Sequence, residues 1–128
     1  MTSGPRQRES RPAADATPTA GPRIVFGGVS AGGEIRSGSD DFTVTKTGGG
    51  LYSVVPRRPF AAPPSVTATI WGQDWWMADT AHIGAVAADR FLVLTSDSDG
   101  NWADRDFCFQ AIGPAAPGTP GGSGSEDA

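Results

Sequence analysis

Residues 66–70 read Val-Thr-Ala-Thr-Ile, with apolar and polar side chains in strict alternation. A period of two puts Val66, Ala68 and Ile70 on one face of an extended strand and Thr67 and Thr69 on the other. The same period recurs in short runs: Ile24-Val25-Phe26, Phe42 to Thr45, Tyr52-Ser53-Val54, Phe91 to Thr95 and Phe107 to Ala111, with a weaker run from His82 to Val86. Gly, Pro, Asp and Ser separate these runs, and Gly48-Gly49-Gly50 is the strongest turn signal. About seven short strands at this spacing predict an all-β fold, an antiparallel β-sandwich of jelly-roll-like kind.

Composition closes off the alternatives. With 18 glycines and 11 prolines in 128 residues, long helices are excluded, because each of these residues weakens a helix interior. No Gly-X-Y register is sustained, so the chain is not collagen-like. No apolar run approaches the roughly 20 residues of a membrane span. One stretch, residues 73–83, has neither Gly nor Pro, and Trp71, Trp75, Ala78 and His82 fall at near-helical spacing. A short helical turn is one reading there. An irregular loop is the favoured one, because the stretch is short and poorly capped.

All six Phe, all four Trp and the one Tyr lie between residues 23 and 113, which are assigned to a single β-sandwich domain. Residues 1–22 are rich in Pro, Ala and Arg and carry almost no large apolar side chain, so they are expected to form a disordered arm. Residues 114–128, a Pro/Gly/Ser tail, are expected to be flexible. The arm has Arg6, Arg8 and Arg11 but no apolar stretch, so no secretory signal is expected. Synthesis in the cytoplasm is the corresponding expectation.

Charge and cysteine count narrow the chemistry. The formal net charge is −4 and the only lysine is Lys46, which argues against a nucleic-acid backbone binder. The single cysteine, Cys108, can form no internal disulfide and is expected to be a small buried strand residue. One Cys and one His, His82, do not make a zinc site. A Cys–His catalytic pair is not expected either.

The pattern as a whole resembles a known kind of domain. A Gly/Ser-rich turn leads into Phe42-Thr-Val44-Thr, then Gly50-x-Tyr52-x-Val54. Phe60 and Pro64 precede the Val66 strand, and Phe91-x-Val93, Gly100, Asp106, Phe107-x-Phe109 and Gly113 follow. This resembles the small β-sandwich domains at the C-terminal ends of phage tail-fibre proteins and related bacterial proteins of unknown role. The resemblance implies a non-enzymatic structural or attachment module, homo-oligomeric and trimeric, incorporated into a phage or phage-like particle. The chain departs from it in lacking a repetitive stalk and in its unusually aromatic segment, residues 71–76.

Two clusters are candidate sites. Trp71, Trp75 and Trp76 stand close together, with Asp74 among them, and Trp102 follows in a later hairpin. Exposed indoles stack on sugar C–H faces or on a partner's apolar patch. Three roles are therefore open for them: capping the end of the sandwich, an interface between copies, or a glycan site. The glycan reading makes the chain a monomeric carbohydrate-binding module. The second cluster is Asp97, Asp99, Asn101, Asp104 and Asp106. These are hard oxygen ligands of the kind calcium takes, around Gly100. The competing reading is a hairpin turn, which favours the same residues. No cofactor is expected beyond this calcium possibility. Acid/base catalysis is not expected from so small a domain, whose only core glutamate is Glu34. A cytosolic protein with no ligand is the remaining alternative.

Residues 56–64, with four prolines around Arg57, Arg58 and Phe60, must connect strands or edge a sheet, because proline cannot donate to a ladder. The two arginines read as a solvated pair.

Overall fold

The computed structural model describes residues 21–72 and 76–117. Eight strands are present among them: β1 (Arg23–Val29), β2 (Ile35–Gly38), β3 (Phe42–Gly48), β4 (Leu51–Pro56), β5 (Ser65–Ile70), β6 (Thr80–Gly84), β7 (Phe91–Ser96) and β8 (Phe107–Gly113). They form two antiparallel four-stranded sheets, ordered β2-β1-β8-β5 and β3-β4-β7-β6. The fold is the all-β sandwich that the alternation predicts. Among the described residues no helix is long and apolar enough to cross a membrane.

Alternation decides which side chains meet between the sheets. Val25 and Val29 of β1 and Phe107, Phe109 and Ala111 of β8 point inward and are buried. Facing them are Phe42, Tyr52, Val54, Phe91 and Val93 from the other sheet. Phe109 sits edge-on to Phe42, with centroids 5.0 Å apart, and 5.5 Å from Phe91. These edge-to-face contacts suit the ring quadrupoles and add to the area buried. Tyr52 lies 4.9 Å from Phe107 and donates its hydroxyl to the Ala31 carbonyl at 2.7 Å, so its one polar atom is satisfied inside the core.

Where about seven strands were expected, the described residues form eight. The additional strand is β2, whose four residues are all exposed. It has no apolar alternation to betray it and exists because β1 offers an edge: Gly27 pairs with Gly38 and Gly28 with Ser37. β6 also starts earlier than its alternation suggests, at Thr80, which is paired to Ser96. Before it, residues 76–79 make a turn closed by Asp79 N–H donating to the Trp76 carbonyl at 3.0 Å. No helical turn occurs among the described residues of that stretch, and residues 73–75 lie outside them.

Residues 57–64 cross from β4 to β5 as their prolines require. Phe60 is buried there, and Arg23 stacks over its ring at 5.1 Å while also pairing with Asp41 at 3.2 Å. The chain continues to pair past Gly113. Ala61 N–H donates to the Pro114 carbonyl at 2.9 Å, and Ala115 bridges to Phe60. Most of the expected arm and tail, residues 1–20 and 118–128, lies outside the described residues.

Candidate functional site

On the β2-β1-β8-β5 sheet, the outward positions of β1 are Ile24, Phe26 and Gly28. Those of β8 are Cys108, Gln110 and Ile112. Antiparallel register sets Ile24 beside Ile112, Phe26 beside Gln110 and Gly28 beside Cys108. Ile24, Phe26 and Ile112 remain 51%, 46% and 42% exposed. On β5 the outward residues are Ser65, Thr67 and Thr69. The middle of this face is thus an apolar ridge with uncharged polar residues alongside.

Gly28 shapes the end of that ridge. A Cβ placed there would stand 2.4 Å from Cζ3 of Trp71, so the indole rests directly on the glycine backbone. Trp71 is held by its backbone N–H, which donates to the Asp106 carbonyl at 3.0 Å. With Phe26, Ser37, Thr69 and Cys108, the ring borders a shallow cavity of about 310 Å³. Cys108 faces this cavity, not the core as expected, because Phe107 and Phe109 take the inward positions on either side of it. Partial burial pushes its thiol above the ordinary value, which leaves it a poor nucleophile.

The structure separates the tryptophans that are close in sequence. Trp71 lies on the face just described. Trp76 is strongly exposed in the connection between β5 and β6, next to a fully exposed Met77. Trp102 lies on the opposite face of the sandwich, bridged to Ser96 of β7. There it lines a second groove of about 310 Å³ with Thr80, His82, Leu94, Ser96 and Gly100. Trp75 and Asp74 fall outside the described residues. The chain crosses between sheets after β5, which is why neighbours in sequence part in space.

The five acidic-hairpin residues do not converge on one point. Asp97 Oδ1 accepts from the backbone N–H groups of Asp99 and Asn101, both at 2.9 Å, forming the turn itself. Those amide donors hold its carboxylate below the ordinary value. Asp104 Oδ1 accepts from Gly50 N–H at 2.7 Å and lies 3.2 Å from Lys46 Nζ. The Gly50 amide, then Lys46, likewise hold Asp104 down. Asp106 Oδ1 turns elsewhere, to Ala31 N–H at 2.6 Å. Each of these three carboxylates therefore fastens a different backbone segment, the role of an Asx turn or a loop clamp. Among the described residues no three His, Cys, Asp or Glu side chains are placed to hold a metal ion.

One charged pair went unread in the sequence. Asp79, buried in the turn before β6, accepts from Arg105 Nε at 2.8 Å through Oδ2, while its Oδ1 has no partner. The two are 26 residues apart, and no local spacing signals the pairing. The exposed ridge was equally hidden, because Ile24-Val25-Phe26 reads as core until the register shows which residues face out.

The chain matches no known family, no curated protein and no solved structure.

Proposed function

We propose that this protein is a non-enzymatic structural or attachment module that assembles with copies of itself through the outer face of the β2-β1-β8-β5 sheet. The observation that carries the reading is the solvent-facing ridge of Ile24, Phe26 and Ile112 on the two central strands. Central strands of a two-layer sandwich need only their inner side chains apolar. Three large apolar residues on the outer side fit a surface that is covered in the assembled state. Cys108 apart, no ionisable side chain occupies the outward positions of β1, β8 and β5. A chain of net charge −4 can therefore bring these three strands against its own copy without juxtaposing like charges there.

The acidic connection before β8 supports an architectural role, since its carboxylates clamp backbone segments together. The tail-fibre resemblance adds the expectation of a trimer in a phage or phage-like particle.

Sedimentation or native mass measurement tests the assembly. A homo-oligomer is expected at micromolar concentration. Phe26→Lys with Ile112→Lys is expected to give a folded monomer, because both side chains point away from the core. A wild-type chain that stays monomeric at high micromolar concentration would overturn the reading.

A further inference from the structure

We propose that the groove between β6, β7 and the segment carrying Trp102 is a binding site for a neutral saccharide. It lies on the sheet opposite the proposed assembly face and does not depend on assembly.

The first support is the state of Trp102. The residue is 60% exposed, so the core does not explain its presence. Its backbone is nevertheless fixed. Trp102 bridges to Ser96, Ala103 N–H donates to the Thr95 carbonyl at 3.2 Å, and Thr95 Oγ1 donates to the Ala103 carbonyl at 2.6 Å. The result is an aromatic plate on an anchored support and open to solvent. Pre-organisation of this kind lowers the ordering cost of binding.

The second support is what stands beside the plate. Register places Thr80 opposite Ser96 and His82 opposite Leu94, with all four on the outer face. The Thr80 and Ser96 hydroxyls are 2.6 Å apart and share one hydrogen bond. Each oxygen has further capacity, and the exposed His82 imidazole adds a donor or acceptor. Leu94 supplies an apolar patch between these groups. A pyranose presents the matching pattern, with C–H groups on one face and hydroxyls around the rim.

Charge and size complete the assignment. None of the lining side chains is a carboxylate, ammonium or guanidinium. A phosphate or carboxylate ligand would find no fixed counter-charge there. A volume of about 310 Å³ sits at the small end of ligand sites. At Gly100 the rim opens on empty space, since a Cβ there would touch nothing within 4 Å. A second sugar unit can extend past that point.

The test titrates the full chain with methyl glycosides of glucose, galactose, mannose and N-acetylglucosamine, read by amide NMR shifts. N-acetylneuraminic acid serves as the charged comparison. At least one neutral glycoside is expected to shift residues of β6, β7 and 100–103. Trp102→Ala and His82→Ala should each weaken it about tenfold or more. Trp76→Ala should leave it unchanged. Thr80→Val, which keeps shape and removes one hydroxyl, gives a second line of evidence should Trp102→Ala disturb the fold. The proposal is overturned if no neutral glycoside shifts these residues, if binding survives Trp102→Ala, if it follows Trp76, or if the acidic sugar binds best. Mass measurement on the same samples keeps this outcome separate from self-association: a monomer that binds sugar through Trp102 removes the assembly reading and leaves this one.

Discussion

Asp104 Oδ1 accepts a hydrogen bond from the backbone N–H of Gly50 at 2.7 Å, joining residues 54 positions apart. Gly50 is enclosed on its other sides too. Its carbonyl accepts from Thr95 N–H at 2.8 Å, and its φ is +66°. A Cβ there would stand 2.4 Å from the Thr95 carbonyl oxygen and 2.9 Å from Ala103 N.

Gly50→Ala is therefore expected to be among the most damaging single-methyl changes in the chain. It strains a left-handed backbone and collides with backbone atoms that cannot rotate away, at a cost of about 2 kcal/mol or more. Gly49→Ala, where a Cβ meets nothing within 4 Å, is the control and should be near neutral. Urea unfolding of both variants makes the comparison.

Acid sensitivity follows from the depressed carboxylates. Gly50 N–H and Lys46 lower Asp104, and the Asn101 and Asp99 amides lower Asp97, below an ordinary value of 3.8. Groups lowered in the folded state contribute stability that is fully present above that value. The contribution is lost as pH falls below 3.8 through the folded-state values. Asp104→Asn keeps an acceptor for Gly50 but has no proton to take up. Its stability between pH 4 and pH 2 is expected to fall less steeply than the wild type's. Tyr52 has the opposite sign. Burial, then the Asp104 charge, raise it above 10.0, so its contribution is lost as pH climbs through that raised value.

Arg105 and Asp79 should prove strongly coupled. Arg105→Ala leaves the Asp79 carboxylate buried with its paired oxygen also vacated. Removing one partner of a buried pair costs about 3 kcal/mol or more, most of it from the stranded charge. The double variant Asp79→Ala with Arg105→Ala should cost clearly less than the two single changes added together. A double-mutant cycle on thermal or urea unfolding reads this directly.

Gly28→Ala probes the ridge. The new methyl needs the space of Trp71 Cζ3 and must push the indole outward. The tip of a half-exposed side chain can yield, so the stability cost should be small, about 1 kcal/mol. The tryptophan emission should shift to the red, and self-association should weaken if that face forms the contact.

The fold was legible wherever burial and alternation coincide, as in β4, β7 and β8. It was not legible in β2, where Ile35, Arg36, Ser37 and Gly38 are all exposed and the strand forms only by pairing with β1. The candidate sites were less readable, because sequence proximity misleads in a two-layer fold. Trp71 and Trp76 lie five positions apart, yet only Trp71 rests on Gly28, while the more distant Trp102 occupies the other face. Asp97, Asp104 and Asp106 resemble a ligand set along the chain. In space each answers to a backbone donor, and those for Asp104 and Asp106 arrive from 54 and 75 residues away. Such destinations depend on the tertiary arrangement, which local spacing does not encode.

The β2-β1-β8-β5 order has a consequence for how the chain reaches this structure. β1 and β5 are joined in the sheet through β8, the last of the eight described strands to be synthesised. Until Phe107–Gly113 is available, the β1–β2 hairpin and β5 have no common partner, and one layer of the sandwich is missing. The pairing Arg23↔Gly113 closes a loop across nearly the whole domain, a costly long-range contact that slows folding. Meanwhile, the inner side chains Val25 and Val29 stay uncovered on the nascent chain. Loss of β8 would thus cut a sheet in two and not merely trim its edge.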